Sequence, residues 1–171
     1  MGNATNSFGG LRKQVEDLIA LHGGVPFAAI DIELGTLDYD EKSALPAEQW
    51  IQIIFELNDI MPDAEFVYRF CDRPHVDWRD VVFTGVNSKI KTTLRVNRAM
   101  IGEKLMALLA TAEPYKVVLP SCGDQDEIAG QLRKIGGRTL IECEAAGTSA
   151  AVGADILHVS YDGRIFIDRV A

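Results

Sequence analysis

The feature that most limits the fold of this chain is a strand–helix–strand succession between residues 115 and 145. YKVVLP and RTLIECEA have the composition of strands, and DQDEIAGQLRKIGG between them has the apolar spacing of a helix. Two strands joined by a helical crossover normally run parallel in one sheet, with a right-handed connection. This βαβ unit therefore predicts an α/β fold with helices packed on a sheet.

Two earlier segments extend the same prediction. In VPFAAIDIEL, isoleucine and leucine alternate with Asp31 and Glu33, which is typical of a half-buried strand. LPAEQWIQIIFELNDIM repeats apolar residues at helical spacing behind Pro46, which suits the start of a helix. We therefore expect a strand near residues 25–34 and a helix over residues 46–61.

Residues 64–96 predict an antiparallel meander. AEFVYRFC and WRDVVFTG look like strands, GVNS like a hairpin connection, and KIKTTLRV alternates with period two. At the end of the chain, DILHVSYDGRIFIDRV predicts a β-hairpin whose Asp-Gly pair suits a type I′ turn. With 171 residues, we expect one globular domain over residues 1–171, with a mixed sheet of the α/β class. An α+β arrangement is the alternative.

The sequence predicts a cytoplasmic protein that does not enter a membrane. No apolar run approaches the length of a spanning helix, and the first ten residues do not resemble a secretion signal. Cys71, Cys122 and Cys143 form no CxxC pair, and we expect Cys71 and Cys143 to be small apolar thiols in strands. No metal or nucleotide motif is complete, so no cofactor is predicted.

The charge of the chain is strongly polarised. The net charge is −8, and residues 31–65 hold ten acidic residues against Lys42 alone, a net of −9. Residues 86–171 hold ten acidic and eleven basic residues, a net of +1. An acidic excess of this size disfavours direct nucleic-acid binding and favours encounter with basic partners.

Asp31 and Glu33 are candidates for a metal or acid–base site. They project from the same face of the predicted strand, and two carboxylates could hold a divalent cation. The spacing of a calcium loop is missing, however, and no neighbouring histidine or lysine completes an acid–base pair. We therefore interpret them as part of a solvated or partner-facing acidic surface.

Two other residues are candidates for catalysis. Cys122 lies between a predicted strand and the N-terminus of a helix, a position that can activate a thiol. Acidic residues in the first turn of that helix, Asp126 and Glu127, would oppose a thiolate. His75 lies in a polar loop and could act as a general base, whereas His158 alternates into a strand and is expected to be structural.

These observations favour an inhibitor of the immunity type over an enzyme. An acidic surface would bind a basic protein such as a nuclease-type toxin, with Tyr39 or Trp78 as an aromatic anchor. The acidic residues expected at this interface are Asp31, Glu33, Asp38, Asp40, Glu48, Glu56 and Asp59.

Two alternatives remain. The first is a small-molecule enzyme whose site lies near Cys122 and the loop 145–154, at the strand ends where open α/β sheets bind ligands. The second is a homodimer in which a basic strand face carrying Lys89, Lys91 and Arg95 complements the acidic half of its partner.

Overall fold

The structure is a computed structural model that describes residues 3–35, 45–70, 77–97, 102–120, 126–143 and 156–167. It contains five helices within these ranges: α1 Asn3–Leu21, α2 Ala47–Ile60, α3 Trp78–Asn87, α4 Glu103–Thr111 and α5 Asp126–Gly136. The seven described strands are β1 Ala29–Gly35, β2 Glu65–Phe70, β3 Thr92–Arg95, β4 Lys116–Leu119, β5 Leu140–Cys143, β6 Ile156–Val159 and β7 Ile165–Ile167.

The strands form one sheet in the order β5-β4-β3-β2-β1-β6-β7. All neighbouring pairs are parallel except β6 and β7, which are antiparallel. The predicted α/β class, the mixed sheet, the βαβ unit (β4-α5-β5) and the terminal hairpin (β6-β7) are therefore confirmed.

The helices form one layer against one face of the sheet. From β1 to β5 the chain adds each strand beside the previous one, and crossovers of one hand place α2 to α5 on the same side. Neighbouring helices contact one another along this layer, and α1 packs beside α2 and on β7. The core lies between this layer and the alternate strand residues, among them Ile30, Ile32, Tyr68, Leu94 and Leu157.

The predicted antiparallel meander is wrong. WRDVVFTG belongs to α3, where Trp78, Val81, Val82 and Gly85 are buried at the spacing of one helix face. Because a helix separates β2 from β3, these two strands run parallel. A short apolar run such as VVF fits a buried strand or a buried helix equally well, so periodicity alone could not decide.

The terminal hairpin turns by a different route from the one predicted. Lys89 is the one non-glycine residue with a positive φ in the described ranges, so Asp162 does not adopt the type I′ conformation. Gly163 has φ 87° and donates its N–H to Ser160 O at 2.9 Å. This geometry is typical of a type I turn followed by a glycine bulge.

Two expectations about environment can be compared with the structure. None of the helices in the described ranges is both long and apolar enough to cross a membrane. Cys143 is exposed and disulfide-bonded, so the expectation that it is a free, buried thiol is wrong. Cys71 and Cys122 lie outside the described residues.

Candidate functional site

The sheet face opposite the helices carries polar and charged side chains, and we call it the polar face. It is formed by the strand residues that alternate with the core residues. Its described members on the four central strands β6, β1, β2 and β3 are Asp31, Glu33, Glu65, Val67, Arg69, Thr93, Arg95 and His158. All five described helices contribute their apolar residues to the other face, so the polar face is chemically distinct from the core.

Asp31 lies at the centre of the polar face, on the strand between β2 and β6. The residue is only 2% exposed. Nε of Arg69 lies 3.4 and 3.3 Å from the two carboxylate oxygens, and Nη2 lies 3.3 Å from Oδ2. On the other side, Nδ1 of His158 lies 3.1 Å from Oδ2. A buried carboxylate is thus held between a guanidinium and an imidazole, as a buried charge requires.

Glu33 extends this cluster towards the carboxyl ends of the strands. Its Oε2 lies 3.4 Å from Nη2 of Arg69, and its Oε1 accepts the backbone N–H of Tyr161 at 3.4 Å. Glu33, Arg69 and Arg95 are register partners across β1, β2 and β3. Ligands of open α/β sheets bind near the carboxyl ends of the strands, so this level of the polar face is a plausible ligand position.

His158 has an aromatic neighbour at the sheet edge. The ring of Phe166 on β7 stacks on the imidazole, with ring centroids 5.1 Å apart and an interplanar angle of 11°. Phe166 is 47% exposed, although the residue is large and apolar. The stacked ring limits how the imidazole can turn and gives the site an apolar wall beside the charged cluster.

The contact with Asp31 determines what His158 can do chemically. When Nδ1 carries the proton, it donates to the Asp31 carboxylate, and Nε2 is then the basic nitrogen. A carboxylate at Nδ1 fixes this tautomer and stabilises the imidazolium formed when Nε2 takes up a proton. The pair therefore has the chemistry of a general acid–base group.

Metal binding receives no support from the described residues. They include no group of three or more histidine, cysteine, aspartate or glutamate residues that could hold a metal ion. Asp31 and Glu33, the two candidate ligands, both contact the Arg69 guanidinium, which is itself a cation. The cluster is thus suited to proton transfer and to ligands that can pair with Arg69.

The predicted acidic surface is only partly present. Glu48 and Asp59 are exposed on α2, but Glu56 and Asp59 bind Arg12 of α1 at 2.8 and 2.7 Å. Hydrogen bonds from Asp59 and Glu56 raise the pKa of Arg12. Asp31, expected to be solvated, is buried. Part of the acidic excess thus serves to join two helices of the same chain.

The predicted aromatic anchor Trp78 is 4% exposed and packs edge-on against Phe70, with centroids 5.4 Å apart. Lys89 and Lys91 are exposed beside β3, and Lys91 lies over the ring of Tyr115 at 4.2 Å. The remaining predicted positions lie outside the described residues: Asp38, Tyr39, Asp40, His75, Cys122 and the loop 145–154.

Sequence reasoning missed two of the residues that complete the cluster. It treated His158 as structural and gave Arg69 no role. Each is a single polar residue in an otherwise apolar strand, in FVYRF and in ILHV. A charged or titratable residue in such a position must find a partner when it is buried, and this was the available signal.

Comparison with known proteins gives structural matches only. No protein-family model matches the sequence, and no curated protein matches it. Solved structures of SuiB from Streptococcus suis are similar. The complex with its precursor peptide SuiA shares 15% identity and a TM-score of 0.57, covering 87% of this chain and 43% of SuiB. The complex with S-adenosylmethionine shares 16% identity and a TM-score of 0.57, covering 87% of this chain and 44% of SuiB.

A third SuiB structure, with 16% identity and a TM-score of 0.56, covers 92% of this chain and 46% of SuiB. The chain thus spans less than half the length of SuiB, and the likeness shows the fold. The predicted inhibitor of the immunity type, with a basic nuclease-type toxin as partner, is wrong, because the similar structures are of a protein bound to S-adenosylmethionine and to a precursor peptide.

Proposed function

We propose that this chain binds a peptide on the polar face of its sheet and transfers a proton to or from it through His158. The observation that carries the proposal is the buried contact between His158 Nδ1 and Asp31 at 3.1 Å. This is an enzymatic function, as in the earlier alternative of a small-molecule enzyme. The site moves from Cys122 and the loop 145–154 to the sheet face, where the described side chains form an acid–base pair.

Each described residue of the cluster has a separate role in this proposal. Nε2 of His158 accepts the substrate proton, and Asp31 orients the ring and stabilises the resulting imidazolium. Arg69 balances the charge of Asp31 from the opposite side. Because Asp31 is 2% and His158 6% exposed, the proton moves in a site largely shielded from water, where such interactions are strong.

A peptide as the ligand is supported by one comparison and one feature of the surface. The similar protein SuiB has been observed with its precursor peptide. On this chain, the exposed ring of Phe166 lies beside the charged cluster, which suits a ligand with both apolar and polar groups. S-adenosylmethionine, observed with SuiB, is a second candidate ligand for the same face.

Hydrogen–deuterium exchange into bound peptides tests the proton transfer. The protein is incubated in D₂O with a randomised peptide library, and deuterium retained at carbon after return to H₂O is measured by mass spectrometry. We expect retained deuterium in a subset of peptides with the wild-type protein and none with His158→Gln. His22→Gln is the matched control, because His22 bonds to Val25 O, far along the chain from the cluster. Exchange that survives His158→Gln, or that never occurs, contradicts the proposal.

The cytoplasmic location stays a prediction. The disulfide at Cys143 counts against it, because disulfides seldom persist in a reducing compartment. Trapping free thiols with an alkylating reagent during lysis of the native host gives the answer. Alkylation of all three cysteines would support the cytoplasm, and protection of Cys143 until reduction would contradict it.

A further inference from the structure

We infer that the ligand of the polar face carries a carboxylate group, and that Arg69 and Arg95 bind it. The inference rests on the proposed function, because it concerns the ligand of the same face. The shared chemistry has two sources: the amino-acid end of S-adenosylmethionine, or the C-terminal carboxylate of a peptide.

The first argument is the placement of two guanidinium groups. Arg69 on β2 and Arg95 on β3 are register partners on adjacent parallel strands, and both belong to the polar face. Like charges directly opposite each other on neighbouring strands are unfavourable. An anion that contacts both groups relieves this repulsion, and planar guanidinium groups match the geometry of a carboxylate.

The second argument is the length of the contacts that Arg69 makes within the cluster. Its nitrogens lie 3.3 to 3.4 Å from oxygens of Asp31 and Glu33. Charge-assisted hydrogen bonds of arginine with carboxylates are usually about 2.7–2.9 Å long. One guanidinium is thus shared loosely between two acids, and a ligand carboxylate can form shorter bonds with it.

The third argument is that both acids have another donor. Asp31 contacts His158 Nδ1 at 3.1 Å, and Glu33 accepts the N–H of Tyr161 at 3.4 Å. If Arg69 turns towards a ligand, neither carboxylate loses its last hydrogen-bond donor. The Arg69 and Glu33 side chains are 24% and 22% exposed, so a ligand can reach them although Asp31 is covered.

Paired probes that differ only in the carboxylate test this inference. One pair is S-adenosylmethionine and its decarboxylated form, measured by isothermal titration calorimetry. The other is a peptide library without aspartate or glutamate, made with free C-terminal acids or with C-terminal amides, and measured by retention on immobilised protein. We expect at least one acid form to bind about tenfold or more tightly than its partner. The pair that shows the difference identifies the source of the carboxylate.

Variants assign the binding to the two arginines. Arg69→Gln and Arg95→Gln should each remove the preference for the acid form, and Arg69→Lys should restore it only in part because lysine lacks the fork. Arg95→Gln is the safer variant for folding, since Arg95 does not contact Asp31 in the cluster described above. Arg79→Gln, an exposed arginine on α3, is the matched control and should bind like the wild type.

The outcomes separate this inference from the proposed function. Equal retention of the acid and neutral forms, no retention of either acid form, or a preference that survives both arginine variants would overturn it. His158→Gln should keep the carboxylate preference while losing deuterium exchange. Deuterium exchange without a carboxylate preference would thus leave the proton transfer intact and remove only the inference about the ligand.

Discussion

His158 and Asp31 lie 127 positions apart in the sequence, yet they are register partners on neighbouring strands, with Nδ1 3.1 Å from Oδ2. The contact joins the penultimate strand of the chain to its first. Few donors or acceptors at this position could be replaced without leaving a buried polar group unpaired, so the pair contributes to stability as well as to the proposed chemistry.

Replacement of Asp31 by asparagine should destabilise the protein by about 2–3 kcal/mol, because Arg69 and His158 lose the buried charge between them. Arg69 keeps its contact with Glu33, which limits the loss. Urea unfolding measures the change. Asp17→Asn, on an exposed residue whose side chain is 65% accessible, should shift the midpoint very little. An Asp31→Asn variant as stable as the wild type would show that the cluster is not held together as described.

Truncation of Trp78 to alanine should cost about 3–5 kcal/mol, because its ring is buried against Phe70 and the gap cannot fully close. Phe83→Ala on the same helix is the control. Phe83 is 40% exposed, so its loss should cost no more than about 1 kcal/mol. Thermal and urea unfolding of both variants test this. Similar costs for the two residues would mean that Trp78 is not part of the core.

Tyr68 should make stability fall at alkaline pH. The residue is fully buried, its hydroxyl has no hydrogen-bond partner among the described residues, and burial raises the pKa of Tyr68 above its usual range. The unfolded chain releases this proton near pH 10 and the folded chain does not. Its contribution is therefore complete below pH 10 and is lost above it, by about 1.4 kcal/mol per pH unit.

The measurement is the free energy of unfolding at pH 9 and pH 11 for wild type and Tyr68→Phe. The variant should lose less stability between the two pH values, and at neutral pH it should be at least as stable as wild type because no buried hydroxyl remains. Tyr115→Phe, at a residue 40% exposed, should behave like wild type. Identical pH dependence of wild type and Tyr68→Phe would contradict the burial of this hydroxyl.

Lys89→Gly should stabilise the protein by about 1 kcal/mol. Lys89 ends α3 with φ 67°, its N–H bonds to Val86 O at 3.0 Å, and the N–H of Ile90 bonds to Gly85 O at 3.1 Å. These two bonds define a Schellman motif, whose left-handed position glycine occupies without strain. Lys13→Gly, inside α1 and 79% exposed, should instead cost about 0.5–1 kcal/mol. A destabilised Lys89→Gly would argue against this helix end.

Local patterns were sufficient for the elements whose periodicity is unambiguous. The alternation of Ile30 and Ile32 with Asp31 and Glu33 placed each residue on the correct face of β1. The prediction failed at residues 78–87, where a contiguous apolar run hides the helical period. That single error also reversed β3 relative to β2, because the type of the connection decides whether the strands run parallel.

The candidate site was harder to predict because its partners are distant in sequence. Alternation placed Asp31 on a face but could not show that this face is covered, since burial depends on β6 and its His158. Arg69 approaches from a strand 38 positions later. Nothing near Asp31 in the sequence signals either partner, and only the strand order brings the three residues together.

The position of β1 within the sheet also has a consequence for how the chain folds. During synthesis, β1 can pair with β2 early, but its other edge stays open until β6 has been made. An open strand edge invites pairing with other chains, and charged side chains are one way in which proteins discourage it. Until the final hairpin docks, Asp31 and Glu33 thus protect a nascent edge from aggregation, and the same carboxylates are buried or half-buried once it does.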